Sequence, residues 1–109
     1  MADIERIENV DRAREILQDD EALVFKHSTR CPVSARAERI FAEFAKECCG
    51  ETRICLVDVI RNRDVSSAIA EETGIHHQSP QAIVIKNGSV CAHTSHYEIT
   101  REWMDKELT

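Results

Sequence analysis

The sequence predicts an α/β protein in which helices flank a central mixed β-sheet. Two apolar runs, at residues 22–27 and 54–59, have the composition of strands that are covered on both faces. A long amphipathic helix pattern lies between them, and such a crossover helix indicates parallel strands joined in a right-handed βαβ unit. Two later strands flank Asn87-Gly88, a dipeptide typical of two-residue hairpin turns, so this last pair is expected to be antiparallel.

The N-terminal part of the chain predicts one short helix. Residues 4–8 are compatible with a short edge strand, although Ile4 and Ile7 do not alternate cleanly with polar residues. Asn9 is a suitable N-cap for the helix that follows. The apolar residues that fall on one face of this helix are Val10, Ala13, Ile16 and Leu17.

Three further helices are predicted from apolar spacing and from cap residues. Apolar residues repeat at three- and four-residue spacing over residues 33–48, and Gly50 is the expected end of this helix. A second crossover helix covers about 63–73 and ends at Gly74. Thr100 caps the last helix. The residues that this helix is expected to bury are Trp103, Met104 and Leu108.

Length and composition narrow the class of protein. With 109 residues, the chain is expected to form a single domain over residues 1–109. The net charge of −6 argues against nucleic acid as a partner, and no apolar stretch approaches membrane-spanning length. The N-terminus lacks the hydrophobic core of a signal peptide. The five cysteines are an odd number, which favours reduced thiols and a cytoplasmic location.

The stretch Thr29-Arg30-Cys31-Pro32-Val33-Ser34 connects the first long strand to the long helix. Backbone N–H groups at a helix start are unpaired, and the helix dipole adds partial positive charge there. Both effects favour the thiolate of Cys31, which is the nucleophilic form. Pro32 suits a first helical turn because it has no N–H to leave unsatisfied. Ser34 stands where a Cys-x-x-Cys motif would carry its second sulfur, so the motif indicates one activated thiol.

The predicted element order, β-α-β-α-β-β-α after the N-terminal piece, matches the thioredoxin-like fold. In that fold a proline directly before the third core strand is cis, and this position is Pro80. The residue before it, Ser79, would present its backbone beside Cys31, where a substrate strand can pair with it. The alternative is an ordinary turn proline before an edge strand. Dithiol thioredoxins carry a buried acid six residues before the attacking cysteine, and here that position is Phe25.

Several blocks of the sequence closely resemble the monothiol bacilliredoxin family. The blocks are Lys26-His27-Ser28-Thr29-Arg30-Cys31-Pro32-Val33-Ser34, Glu71-Glu72-Thr73-Gly74-Ile75, Ser79-Pro80-Gln81-Ala82-Ile83, Lys86-Asn87-Gly88 and His93-Thr94-Ser95-His96. The similarity covers nearly the whole chain from residue 22 onward. It implies a thioredoxin-like protein that reduces mixed disulfides between proteins and bacillithiol. The chain departs from the family at Cys91, where a thiol is unusual, and at Tyr97, where Trp is more usual.

The predicted site combines these motifs. Cys31 is the expected catalytic nucleophile. Ser34 either is only a first-turn residue that satisfies backbone groups or donates a hydrogen bond to the Cys31 thiolate. Since the strand at 89–93 runs back toward the site, the residues after it should return to the rim. The expected supporting residues are Thr29, Pro32 and Ser34, and the expected substrate-binding residues are Arg30, Ser79, Pro80, Ser95 and His96.

The leading hypothesis is a monothiol thiol-disulfide oxidoreductase that uses Cys31 to remove bacillithiol, or a similar low-molecular-weight thiol, from client proteins. We expect a monomer that uses this thiol as co-substrate and has no resident cofactor. One alternative is an iron–sulfur carrier resembling monothiol glutaredoxins, although Pro32 stiffens the loop that such proteins keep mobile. Another alternative is a redox-inert binding module.

The remaining cysteines and the histidines have ordinary explanations. A zinc site involving His76-His77 or His93-x-x-His96 is disfavoured because no Cys-x-x-Cys pair accompanies them. His27, His77 and His96 are candidates for tuning the thiolate or contacting anionic groups of a small thiol. The spacing along strand and helix places Cys91 and Cys48-Cys49 too far from Cys31 to form a disulfide with it. Cys55 is expected to face the core from a neighbouring strand.

Overall fold

A computed structural model describes residues 3–48 and 50–108 of the chain. Within these residues, five strands form one sheet and four α-helices cover its two faces. The elements in chain order are β1 (Ile4–Arg6), α1 (Val10–Ile16), β2 (Glu21–His27), α2 (Pro32–Glu47), β3 (Arg53–Asp58), α3 (Arg63–Thr73), β4 (Gln81–Lys86), β5 (Ser89–Ser95), the 3-10 helix η1 (His96–Glu98) and α4 (Arg101–Leu108).

The strands lie in the order β1-β3-β2-β4-β5. Strands β1 and β2 run parallel to β3, whereas β4 is antiparallel to β2 and β5 is antiparallel to β4. The predicted mixed sheet, with a parallel βαβ unit followed by an antiparallel hairpin, is therefore confirmed. No helix in the described part of the chain is long and apolar enough to cross a membrane.

Strand β2 is the centre of the sheet, and its side chains alternate between two apolar cores. Leu23 and Phe25 pack into the core beneath α2 and α4, where the Phe25 ring stacks on Phe41 at 4.7 Å between centroids. Ala22 and Val24 pack into the opposite core beneath α1 and α3. Because helices cover both faces, β2 is apolar almost throughout, as its composition predicts.

The N-terminal strand is shorter than the compatible range of 4–8. It pairs with β3 over three residues and is attached further by Arg12, whose Nε and Nη2 donate to Glu5 at 2.6 and 2.9 Å. The Asn9 cap is present, since its Oδ1 accepts a hydrogen bond from the Arg12 N–H at 2.8 Å. Polar contacts of Glu5 thus compensate for the poor apolar alternation of this edge strand.

Two element boundaries and the burial of one side chain differ from the sequence prediction. Helix α2 ends at Glu47, because Cys48 already has an extended backbone with φ −71° and ψ 123°, so Gly50 is not its cap. Strand β5 continues to Ser95 and leads into η1, which the sequence pattern did not indicate. Trp103 is only partly buried against the core, because the short helix α4 also turns this side chain toward the protein surface.

The hairpin and the end of α3 follow the sequence pattern closely. Asn87 and Gly88 adopt φ values of 54° and 75°, as a two-residue turn with two left-handed positions requires. Gly74 ends α3 with φ 74° and donates its N–H to the Ala70 carbonyl at 2.9 Å.

Strand register positions the candidate site. Lys26, next to the end of β2, lies opposite Gln81, the first residue of β4. The loop that leaves β2 and the loop that enters β4 therefore lie side by side at one edge of the sheet. These loops carry the Cys31 motif and Ser79-Pro80 respectively.

Candidate functional site

Cys31 occupies the N-cap position of α2 and is partly exposed. Its backbone is extended, its carbonyl accepts from the Ala35 N–H at 3.0 Å, and its own N–H donates to the Ser28 carbonyl at 3.2 Å. Pro32 is the first helical residue, and the first turn of α2 contains no acidic side chain. Cys31 thus lies at the positive end of the helix dipole, and no carboxylate lies on the first turn of α2.

Ser34 is completely buried one turn after Cys31. Its Oγ accepts a hydrogen bond from the Ser28 N–H at 2.9 Å and is 2.8 Å from His27 Nδ1. Among the hydrogen bonds of the described residues, none joins Ser34 to Cys31. The hydroxyl therefore attaches the loop of residues 28–31 to α2, which is the first of the two roles expected for it.

His27 extends this contact to Glu38, a residue that the sequence analysis did not select. The His27 Nε2 lies 3.5 Å from Glu38 Oε2, and the imidazole ring stacks at 5.7 Å from Phe25. Ser34 and Glu38 are four residues apart and so share one face of α2. The four-residue spacing, together with a histidine at the end of an otherwise apolar strand, is the sequence signal from which the contact between His27 and Glu38 could have been predicted. The two helix residues hold the imidazole beneath the Cys31 loop.

The second side of the site is the loop before β4. The Ser79–Pro80 peptide bond is cis, and Pro80 is buried. The Pro80 carbonyl accepts from the His96 N–H at 3.1 Å, and Ser95 pairs with Gln81 in the sheet. The structure therefore brings four of the predicted substrate-binding residues together. The Ser79 hydroxyl oxygen is buried and has no hydrogen-bond partner among the described residues.

Exposed side chains form the outer rim. Thr29 and Arg30 are exposed in the turn before Cys31, and Arg30 has no ion-pair partner within the described residues. Tyr97, which follows His96, is 66% exposed, and the Arg36 guanidinium lies 5.6 Å from its ring centroid. Neither Arg36 nor Tyr97 was selected from the sequence, because only the packing of η1 against α2 brings them together.

The other described cysteines are free and lie in different environments. Cys55 is fully buried in β3, and burial raises the pKa of its thiol to about 12. Cys48 follows the far end of α2, more than ~20 Å from Cys31 at ~1.5 Å per residue. Cys91 is exposed on β5, four residues before Ser95, which corresponds to roughly 13 Å along the strand. Cys49 lies outside the described residues.

Neither histidine pair lies in a cluster that could bind a metal. Within residues 3–48 and 50–108, no group of three or more His, Cys, Asp or Glu side chains has a suitable arrangement. His77 instead contacts Lys26 at 3.2 Å and Ser66 at 3.1 Å, on the α3 side of the sheet.

Similarity to solved structures agrees with this architecture. A candidate oxidoreductase with a thioredoxin fold aligns with 25% sequence identity and a TM-score of 0.86, over 97% of this chain and 94% of that chain. A thioredoxin from Trypanosoma brucei brucei aligns with 18% identity and a TM-score of 0.77, over 97% and 88% of the two chains. A thioredoxin from Malassezia sympodialis has 18% identity and a TM-score of 0.73 over the same shares. The predicted thioredoxin-like fold is therefore confirmed.

The family resemblance seen in the sequence motifs is confirmed as well. The family model described as monothiol bacilliredoxin BrxC matches residues 2–104. This range contains the Cys31 motif, the Ser79-Pro80 loop and the end of β5 with η1, which together form the two sides and the rim of the site. The chain therefore belongs to the monothiol bacilliredoxin family.

Proposed function

We propose that this protein is a monothiol thiol-disulfide oxidoreductase that removes bacillithiol, or a similar low-molecular-weight thiol, from mixed disulfides on client proteins. The observation that carries the proposal is the position of Cys31. Its sulfur lies at the N-terminus of α2, beside the sheet edge that carries Ser79-Pro80, and a buried serine replaces a second motif cysteine. Membership of the bacilliredoxin family supports the same reaction class.

In the first step, the Cys31 thiolate attacks the small-thiol sulfur of the client's mixed disulfide. A new disulfide forms between Cys31 and the small thiol, and the client cysteine leaves as a thiolate that takes a proton from solvent. The client is thereby reduced, while Cys31 carries the oxidising equivalent. Only one sulfur of the protein takes part, which agrees with Ser34 being engaged with Ser28 and His27.

In the second step, an external thiolate attacks the small-thiol sulfur now bound to Cys31. This releases a low-molecular-weight disulfide and restores the Cys31 thiolate, so the external thiol supplies the two electrons. A second molecule of the same small thiol is sufficient, and no second subunit is required. The cytoplasm, where thiols are kept reduced, supplies such a molecule and is the compartment that we assign.

The loop residues have supporting roles in this proposal. The backbone of Ser79 pairs with an extended client segment, as an added strand pairs with a free sheet edge. Arg30, in the turn before Cys31, and His96, at the start of η1, contact polar groups of the small thiol in this proposal. Thr29 and Pro32 fix the turn in which Cys31 is held.

The test is release of the client thiol from a protein that carries a bacillithiol mixed disulfide. Wild-type protein should accelerate the release in the presence of excess free bacillithiol. Cys31→Ser should reduce the rate to the uncatalysed value without changing the thermal melt, because Cys31 is partly exposed and packs in neither core.

Cys91→Ser is the matched control, since Cys91 is also accessible but lies away from the site edge. It should retain the wild-type rate. Full activity of Cys31→Ser, or equal loss in both variants, would contradict the assignment of Cys31. Repeating the assay with a glutathione adduct shows which small thiol the enzyme prefers.

A further inference from the structure

Lys26 is an unusual residue for the interior of this fold. It is completely buried, although it directly precedes His27 at the end of β2. Its ammonium group donates to the Ser66 carbonyl at 3.1 Å and contacts His77 Nδ1 at 3.2 Å. No carboxylate pairs with it in the described part of the chain. Fully buried lysines are rare and are normally paired with an acid, so this one requires an explanation.

The contact between Lys26 and His77 determines which nitrogen of the His77 imidazole carries a proton. Burial lowers the pKa of Lys26 to about 8, so the amine remains mostly protonated at neutral pH. A protonated amine can only donate, and therefore Nδ1 of His77 must be an acceptor without a proton. Burial, followed by the charge of Lys26, lowers the pKa of His77 and keeps the ring neutral. Ser66 Oγ lies 3.1 Å from the same nitrogen.

These contacts attach the loop between α3 and β4 to the sheet. His77 is three residues before Pro80, and it is held from β2 by Lys26. Next to it, the His76 carbonyl accepts from Gln81 Nε2 at 3.1 Å, and Gln81 lies opposite Lys26 in the β2–β4 register. Two polar contacts from adjacent strands therefore fix the start of the segment that ends in Pro80.

One side of this segment borders open space. On the α3 side, a cavity of about 580 Å³ opens beside His77, and Ser66 and Ile60 also line it. The imidazole thus has open space on one side and the buried amine on the other. If the contact with Lys26 were lost, Ser66 Oγ would remain as the described hydrogen-bond partner of His77 Nδ1.

We propose that Lys26 is a positioning residue that, through His77, fixes the loop carrying Ser79 and Pro80 next to Cys31. The inference rests on the proposed function, because it takes this loop to be the place where a client segment pairs. Lys26 itself touches neither client nor sulfur, since it is sealed inside the fold and contacts the α3 side of the sheet. Its role is to set the position of the pairing backbone.

The experiment compares Lys26→Met and His77→Leu with wild type on a peptide that carries a small-thiol mixed disulfide. Both variants should raise the KM for the peptide by about ten-fold, the size expected for one lost hydrogen bond to a charged group. The kcat and the rate of Cys31 alkylation by iodoacetamide should stay at wild-type values. The double variant should equal either single variant, because both remove the same contact.

Two further variants provide controls. His77→Gln should restore much of the wild-type KM, because its side-chain carbonyl can accept from the ammonium of Lys26. Lys46→Met makes the same substitution at an exposed position near the end of α2, and it should leave the KM unchanged.

Hydrogen exchange of the backbone amides in residues 76–82 provides a readout that does not depend on activity. We expect faster exchange there in Lys26→Met and His77→Leu even if the peptide is not a substrate. Failure of the proposed function would therefore leave this result intact, whereas failure of the present inference would remove it. Unchanged amide exchange or an unchanged KM for the peptide overturns the positioning role. A rate of Cys31 alkylation that falls as the KM rises overturns it as well. If Lys26→Met does not fold, His77→Leu decides by the same criteria, because His77 is exposed.

Discussion

At the residue scale, Lys26 makes the stability of the protein depend on pH. Its ammonium is buried without a carboxylate partner in the described residues, and burial lowers its pKa from 10.5 to about 8. Between these two values the unfolded chain binds a proton that the native chain has lost, so the free energy of unfolding rises with pH. Below pH 8 the full cost of about 3 kcal/mol applies, and above pH 10.5 it is relieved.

This argument predicts a difference between wild type and Lys26→Met. From pH 8 to pH 10, urea unfolding should show the wild-type protein gaining stability relative to the variant by up to about 1.4 kcal/mol per pH unit. Other titrating groups are common to both proteins and cancel in the difference. Parallel pH dependence of the two proteins would mean that burial does not lower the pKa of the Lys26 amine.

At the scale of single elements, helix ends show where glycine is required. Gly74 ends α3 with φ 74°, whereas Gly50 lies outside the left-handed region and did not end α2. An added Cβ would meet no atom within 4 Å at either position. The two glycines therefore differ in backbone conformation and not in available space.

A matched pair of substitutions follows from this difference. Gly74→Ala should lower the free energy of unfolding by about 1 kcal/mol, because alanine is disfavoured in the left-handed region. Gly50→Ala should leave stability unchanged or raise it by up to about 1 kcal/mol through reduced entropy of the unfolded chain. Chemical denaturation of both variants measures the contrast, and equal effects would contradict the backbone explanation.

At the scale of the whole molecule, topology separates Cys31 from the other described thiols. A disulfide requires Cα atoms within about 7 Å, yet Cys91 lies roughly 13 Å down β5 from the site edge. Cys55 is fully buried in β3 and remains protonated, since burial raises its pKa to about 12. No described cysteine can therefore resolve a mixed disulfide on Cys31.

We accordingly predict a persistent adduct. After reaction with the oxidised small thiol, peptide mapping should find the small thiol on Cys31 until an external thiol is added. Cys91→Ser should show the same adduct on Cys31 with the same lifetime. A Cys31–Cys91 bridge, formed as the adduct disappears, would show a dithiol cycle.

Local patterns in the sequence were sufficient for most elements and for the placement of Cys31 at the start of a helix. Apolar periodicity predicted α2, the Asn87-Gly88 turn predicted the hairpin, and the strand-to-helix junction indicated Cys31. These signals depend on interactions between residues close in sequence, such as helix spacing, turn conformation and the unpaired N–H groups of a first helical turn. The family resemblance, carried by short motifs, was visible for the same reason.

Tertiary structure alone decided the contacts around Cys31. The sequence determined that Cys31 begins a helix, that Ser34 replaces a second cysteine, and that Pro80 precedes a strand. It did not show that Ser34 contacts His27, or that Lys26 is buried against His77. These pairs depend on strand register and on which face of the sheet each side chain occupies. Such long-range packing decides whether a polar residue meets water or a partner, and local pattern carries no information about it.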